Sequence, residues 1–293
     1  MTKVKNISSV AQNRENPLFP IRVMGIININ NESFYGKSRK TTVEDVERTY
    51  LQMVEDGADI IDIGACSTRP GSTPVSGAQE WKYLEKPLER LAEVASQRFC
   101  GGKTVPEISI DTFRSEIARK ACDILGPIIV NDISAGEDDP EMLSTVAELG
   151  LTYVAMHKRG TPDTMQSLTD YPDGVVAEVK RYFEAFAEKA EKFGIEDWIL
   201  DPGFGFAKTV EQNYDLLEHL DELTQIAKPV LVGLSRKSMI YKLLGITPEE
   251  SLPATCVLNF RALQKGATIL RVHDVKEAVQ TVELYRRRCS AKS

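Results

Sequence analysis

The chain has 293 residues, of which 42% are hydrophobic and 27% charged, with a formal net charge of −7. A (β/α)8 barrel uses about 250 residues, so one barrel with trimmings is a simpler expectation than two domains. An acidic chain without a basic run argues against nucleic acid as a partner, and no apolar run reaches the ~20 residues of a membrane span.

Residues 1–20 are polar and lack an apolar signal core, so they are expected to form an N-terminal arm, with residues 21–293 as the barrel domain. Five scattered cysteines, an odd number with no C-x-x-C pair, predict reduced thiols and a cytoplasmic location. The first strand is expected over Arg22 to Ile29, almost wholly apolar as buried parallel strands are. Thr41-x-x-Glu44 then reads as a capping box opening a helix whose stripe is Val43, Val46, Tyr50, Met53 and Val54, stopped at Gly57. Further strands are expected at Asp59 to Gly64, Glu107 to Asp111, Pro127 to Asp132, Thr152 to Met156, Trp198 to Asp201, Pro229 to Leu234 and Thr268 to Val272. Helical patterns fill the gaps: Ser76 to Gln97, Ser115 to Leu125, Glu141 to Leu149, Val175 to Phe193, Val210 to Ile226, Leu252 to Lys265 and Val275 to Arg288. These make about eight strand-helix units, the number that closes a TIM barrel. An open doubly wound sheet is the rival fold. It would gather its polar residues at one switch point, whereas here polar clusters follow nearly every strand.

Those clusters sort by charge. Asp111, Asn131, Asp132 and Asp201 end strands and are expected to face a shared cavity, where carboxylates and amides suit a planar heterocycle or a metal. For any one of them alone, capping the next helix is the commoner role. Lys237, Arg271 and His273 follow the last two strands, where barrels often bind phosphate, and Arg69 adds a guanidinium after the second strand; together they suit a diphosphate. Cations at a helix start oppose its dipole, so Arg236 and Lys237 imply an anionic partner nearby. Loops at Asn28 to Ser38 and Cys66 to Pro74 could close over a substrate. Gly203-x-Gly205 lacks the dinucleotide fingerprint, and Lys208-Thr209 does not complete a phosphate loop. Cys66 has no base beside it in sequence, and His157 reads as packed rather than catalytic. Met156 and Phe206 suit either core or site lining.

In order from Val23 to Val275 the chain carries Met24-Gly-Ile-Ile-Asn28, Asp59-Ile-Ile-Asp-Ile-Gly64, Ser67-Thr-Arg-Pro-Gly71, Ser109-Ile-Asp-Thr112 and Val130-Asn-Asp132. Met156-His157, Arg159-Gly-Thr-Pro162, Asp201-Pro-Gly-Phe-Gly-Phe206, Gly233-Leu-Ser-Arg-Lys-Ser238 and Arg271-Val-His-Asp274 follow. This ordered set resembles dihydropteroate synthase. The resemblance implies condensation of 6-hydroxymethyl-7,8-dihydropterin diphosphate with p-aminobenzoate, with sulfonamides as inhibitors. It implies pterin-binding roles for Asp111, Asn131, Met156, Asp201, Lys237 and Arg271. Diphosphate-binding roles fall on Asn28, Arg69, Arg271 and His273, with Mg2+ at Asn28. Aminobenzoate roles fall on Thr68, Pro70, Phe206, Lys237 and Ser238, and the residues carrying the chemistry are Asp111, Lys237 and Arg69. It also implies a homodimer formed through helices near the chain's end.

Two segments depart from the family pattern. After Asn28 the family usually has Val-Thr-Pro-Asp-Ser-Phe, and this chain has Ile29-Asn-Asn-Glu-Ser-Phe34, with Gly36 aligned to a second family Asp. The usual Gly-Gly-Glu reads Gly64-Ala-Cys66. The altered first loop leaves a weakened pterin-binding paralogue as an alternative, and the shared pterin-holding Asp and Asn positions leave a pterin-dependent methyltransferase barrel as another, although no attached corrinoid-binding domain is visible in the sequence.

Overall fold

Each apolar run becomes a strand: β1 (Arg22–Asn28), β2 (Ile60–Gly64), β3 (Glu107–Asp111), β4 (Ile129–Asp132), β5 (Thr152–Met156), β6 (Trp198–Asp201), β7 (Leu231–Val232) and β8 (Ile269–Val272). The computed structural model describes residues 19–29, 42–66, 75–102, 105–160 and 164–290. All pairings are parallel, in the order β6-β5-β4-β3-β2-β1-β8-β7, and the Leu200↔Val230 bridge joins the two ends of that row into a TIM barrel. That seam is the thinnest part of the ring, one bridge reinforced by the Leu200 N–H donating to the Pro229 carbonyl at 2.9 Å.

Alternation along the strands divides the core in two, because successive side chains take opposite faces. Met24, Ile60, Ile129, Val154, Ile199, Leu231 and Ile269 fill the barrel interior. Their neighbours Val23, Ile61, Val130, Tyr153, Trp198, Val232 and Leu270 point outward into the larger core under the helices. Both faces are apolar, so the sequence shows runs rather than alternation.

The helices are α1 (Val43–Glu55), α2 (Gly77–Cys100), α3 (Ser115–Leu125), α4 (Met142–Leu149), α5 (Val175–Phe193), α6 (Val210–Glu218), α7 (Ser238–Leu244), α8 (Leu252–Gln264) and α9 (Val275–Ser290). Helix α5 shows how they attach: Phe183 and Phe186 lie 6.4 and 5.0 Å from the Trp198 ring, and Phe186 stacks on Tyr153 at 5.9 Å. Burying such a ring contributes roughly 1.5–3 kcal/mol.

Some elements differ from the sequence reading. The capping box of α1 is Thr42 with Asp45, whose side chains and backbone N–H groups bond reciprocally; Thr41, expected to pair with Glu44, lies outside the described residues. The predicted Val210 to Ile226 helix ends at Glu218 and continues as a 3-10 segment, Leu220–Ile226. Leu220 and Leu223 are buried there, and an i, i+3 spacing fits either helix type, so periodicity alone could not separate them. Helix α7 begins at Ser238, directly after the cations Arg236 and Lys237 that mark a helix start, but its seven residues are too few to display a period that would fix its extent.

Candidate active site

The strand ends converge at the carboxyl-terminal mouth. Asp62, Ser109, Asp111, Asn131 and Arg271 share the inward face, and their hydrogen bonds form one network. The Arg271 Nε donates to Asp62 Oδ2 at 2.7 Å, and its Nη2 lies 2.6 Å from Asp62 Oδ2 and 2.7 Å from Asp111 Oδ2. Asn131 Nδ2 donates to Asp62 Oδ2 at 3.0 Å, and Ser109 Oγ to Asp62 Oδ1 at 2.6 Å. Asp111 keeps 15% side-chain exposure and Arg271 21%, while Asp62 has none. Burial pushes the Asp111 carboxyl up to about 7; Arg271 opposes the shift, and the charges of Asp62, Glu80 and Asp132 add to it. Burial works against the Arg271 charge too, but Asp62 and Asp111 more than offset it and hold the guanidinium protonated.

Asp201 opens a tight turn on the other side of the mouth. Its Oδ1 accepts the Gly203 N–H at 2.8 Å, and burial raises its pKa against the pull of Lys237. Gly203 has φ +68°, and a Cβ there would lie 2.0 Å from the His157 carbonyl oxygen, so no other residue fits. Two lysines hold this turn by its carbonyls. Lys237 Nζ donates to Phe204 O and sits 5.1 Å above the Phe206 ring. That contact spans the β6–β7 seam at its upper end. Lys208 Nζ donates to Gly203 O at 3.0 Å and Phe206 O at 3.1 Å, and lies 3.0 Å from His157 Nδ1. Burial lowers Lys237 to about 8 and Lys208 to about 7, with Asp201 resisting both shifts. His157 is 3% exposed, packed edge-on against Tyr182 at 4.9 Å, and burial holds it neutral, well below the usual histidine range.

The loops after β7 and β8 are tied together. The fork of Arg236 bonds Asp274 at 2.6 and 3.2 Å, so the anion implied for the α7 start comes from the chain itself. Ser235 Oγ lies 3.0 Å from His273 Nδ1 and accepts the His273 N–H at 3.3 Å. Ser238 is the first residue of α7, directly after Lys237. Met156 ends β5 and packs its Cγ toward Gly203.

Asp111, Asn131, Asp201, Lys237, Arg271 and Met156 are thus brought to one mouth, with Phe206 under Lys237. Asn28 sits exposed at the end of β1, in register with Gly64, at the rim rather than in the network. Thr68, Arg69, Pro70 and the altered stretch Asn30 to Gly36 lie outside the described residues. The expectation that Asp132 faces the cavity is overturned. One residue beyond Asn131, it points to the opposite face, where it accepts from Ser134 N, Ser134 Oγ, Gly136 N and Tyr153 OH at 2.7 to 2.9 Å. Cys66 is half-buried, and burial followed by the Glu80 charge pushes its thiol up, away from a nucleophilic thiolate.

Residues 24–273 match the family model for the pterin binding enzymes. The chain is 41% identical over 273 residues, 92% of each protein, to the dihydropteroate synthase of Escherichia coli K12. The chain belongs to the dihydropteroate synthase family. It is also 42% identical to the synthase of a Synechocystis strain, over 88% of this chain and 86% of that one. Among solved structures, the Yersinia pestis synthase with a sulfonamide drug superposes with a TM-score of 0.84 at 34% identity, covering 93% of this chain and 95% of that one. The Xanthomonas albilineans synthase with 4-aminobenzoic acid gives 0.81 at 37%, covering 92% and 93%.

Two residues at the mouth escaped the sequence reading. Asp62 was visible as a carboxylate inside an apolar strand, a position that demands a buried partner. Lys208 had no comparable signal, since a lysine beside a helix start is ordinarily solvated.

Proposed function

We propose that this chain is a transferase that condenses 6-hydroxymethyl-7,8-dihydropterin diphosphate with p-aminobenzoate, giving 7,8-dihydropteroate and diphosphate in folate synthesis. The observation that carries this reading is the set of Asp111, Asn131, Asp201, Lys237 and Arg271 at one barrel mouth, in a chain 41% identical to a synthase along 92% of its length. That likeness favours the synthase over the methyltransferase reading. Complexes of relatives with 4-aminobenzoic acid and with a sulfonamide drug support aminobenzoate as the second substrate and sulfonamides as inhibitors.

In this reading Asp111, Asn131, Asp201 and Lys237 pair with the polar edge of the pterin. Arg271 lays its planar guanidinium beside the ring, and Met156 supplies an apolar contact. The methylene C–O bond breaks and its electron pair departs with diphosphate. The developing cation is stabilised by the ionised Asp111 carboxylate, fixed in place before the reaction. The aniline nitrogen then forms the new C–N bond and releases a proton. Arg69, Arg271, His273 and Asn28 receive the diphosphate, while Thr68, Pro70, Phe206 and Ser238 hold the aminobenzoate. No covalent enzyme intermediate is required, which agrees with a protonated Cys66.

Among the described residues no group of three or more His, Cys, Asp or Glu could hold a metal. Magnesium nevertheless fits, because it commonly takes one or two protein oxygens and completes its shell with phosphate and water. The Asn28 amide oxygen at the rim would be such a ligand, and the ion would supply neutralising charge to the leaving group. Exposed Val257 on α8 and Leu284 on α9 support a homodimer through these helices. Free Cys66, Cys100, Cys122 and Cys256 support a reducing, cytoplasmic setting.

The test is diphosphate release by purified protein with dihydropterin diphosphate and magnesium, with and without p-aminobenzoate. Aminobenzoate-dependent release with dihydropteroate formed is expected. Tight pterin binding without turnover would replace this reading with that of a non-catalytic binder.

A further inference from the structure

We infer that Asp62 is a positioning residue of this site: its buried carboxylate anchors Arg271 and Asn131 from below, so that Arg271 keeps its place when Asp111 turns to the pterin. The inference rests on the pterin reading of the mouth.

The geometry is asymmetric. Asp62 lies opposite Ser109, one inward-facing step deeper than the Gly64 and Asp111 pair. Its two oxygens already take Ser109 Oγ, Asn131 Nδ2, Arg271 Nε and Arg271 Nη2, all within 3.0 Å. One donor falls on Oδ1 and three on Oδ2, and the side chain is fully buried, so Asp62 is not presented to a ligand. Asp111, by contrast, holds Arg271 through Nη2 alone and remains partly exposed. The contact that opens to an arriving heterocycle is therefore the upper one. Breaking it leaves the guanidinium still fixed by Nε and Nη2 to Asp62, and Asn131 still fixed through Nδ2. The site then needs little reorganisation to trade Arg271 for pterin on Asp111.

Without the Asp62 charge the same guanidinium has one carboxylate left to pair with. It would close onto Asp111, shield it from the pterin and leave Asn131 a weaker, neutral acceptor. The charges that act on Asp111 are those of Arg271 on β8, Asp62 on β2, Glu80 on α2 and, from the outer face, Asp132 on β4. Removing Asp62 deletes one raising charge and concentrates Arg271 on Asp111, so Asp111 then gives up its proton at lower pH.

The test is Asp62→Asn in the full chain, beside the parent. Dihydropterin diphosphate affinity is expected to fall about 30-fold or more, as when a buried, hydrogen-bonded charge pair loses one partner. The aminobenzoate KM at saturating pterin is expected to stay within about threefold, because that pocket is not anchored by Asp62. The acid limb of kcat/KM is expected to move down in pH, which loss of packing alone would not produce. Unchanged pterin affinity, or an unmoved acid limb, overturns the inference, as does equal weakening of both substrates. If Asp62→Asn does not fold, Ser109→Ala removes only one anchor. It should weaken pterin binding about threefold and leave the aminobenzoate KM alone, and no selective effect would overturn the inference. A parent that binds no pterin sinks the functional reading and this inference together, whereas a normal parent with an unaffected Asp62→Asn sinks the inference alone.

Discussion

Arg271 and Lys208 both bury a cation beside the mouth, and they are satisfied in opposite ways. Arg271 stands between two carboxylates and stays charged. Lys208, 4% exposed, is met among the described residues by neutral acceptors, two carbonyls and an imidazole, and burial takes it down to about 7. Dipoles can orient an ammonium without fully compensating its lost hydration, whereas opposite charges can. The residue types follow the same division. A guanidinium cannot deprotonate and forks between partners, so it suits a site that must stay positive while a diphosphate leaves. A lysine that ties down a turn can titrate without spoiling the charge on that side.

The harshest way to break the comparison is Arg271→Ala. It strands Asp62 and Asp111 as unpaired carboxylates in the same pocket. We expect kcat/KM for the pterin substrate to fall about a thousandfold, some 4 kcal/mol, as for a buried charge pair cut in half. Steady-state kinetics within about tenfold of the parent would mean that the two carboxylates, not the guanidinium, organise the floor.

Lys208→Met should cost stability more than chemistry. The thioether fills the volume but leaves Gly203 O, Phe206 O and His157 Nδ1 without their donor, so a loss of about 2–3 kcal/mol is expected from urea unfolding. The pH dependence is the sharper readout. The folded-state pKa of Lys208 is depressed from 10.5 to about 7, so the unfolded chain binds a proton that the folded chain lacks between these values. Stability from this group is present above about 10.5 and is lost as pH falls through about 7. The parent should therefore gain stability with rising pH across that window, and Lys208→Met should lose this component. A parent-like slope in the variant would show that Lys208 is charged when folded and that the contrast with Arg271 is false.

The same contrast explains what could be read in advance. The barrel was legible because eight apolar runs alternate with helical stripes, and β3, β5 and β6 fall where their composition places them. Asp111, Asn131, Asp201 and Lys237 were legible because strand ends in a closed barrel share one mouth. Asp132 misled because adjacent residues of a strand face opposite ways, and its four donors come from a turn and from Tyr153 that no local pattern announces. Asp62 and Lys208 were missed as parts of the site for a related reason. The partners of Asp62 stand 47 to 209 residues away, and Lys208 joins two carbonyls of its own turn to His157, 51 residues away. Long-range pairing is set by barrel closure, not by neighbours in sequence.

A milder probe sets Arg271 against the other titrating lysine, Lys237. Ionised Asp111 and protonated Lys237 are both needed in the proposed reaction, and their pKa values lie near about 7 and about 8. The kcat/KM profile should be bell-shaped, with activity lost below the first value as Asp111 gains a proton. It should fall again above the second as Lys237 loses one, each limb about tenfold per pH unit. Replacing Lys237 by arginine removes the titrating group, so the alkaline limb should move up even if the maximum falls. An alkaline limb that stays in place assigns it to another group.

The smallest expected effect is Ser235→Ala. The Ser235 hydroxyl accepts the backbone His273 N–H at 3.3 Å and lies 3.0 Å from the ring Nδ1, so it steadies both the main chain and the imidazole of His273. Arg236 and Asp274 still clamp the two loops, so the backbone should hold and only the ring should gain freedom. One neutral hydrogen bond amounts to about 0.5–1.5 kcal/mol, so the pterin diphosphate KM should rise about threefold. The discriminating control is the dihydropterin without its diphosphate, whose affinity should not change. Equal weakening of both ligands would place His273 in the support of the pterin pocket rather than beside the leaving group.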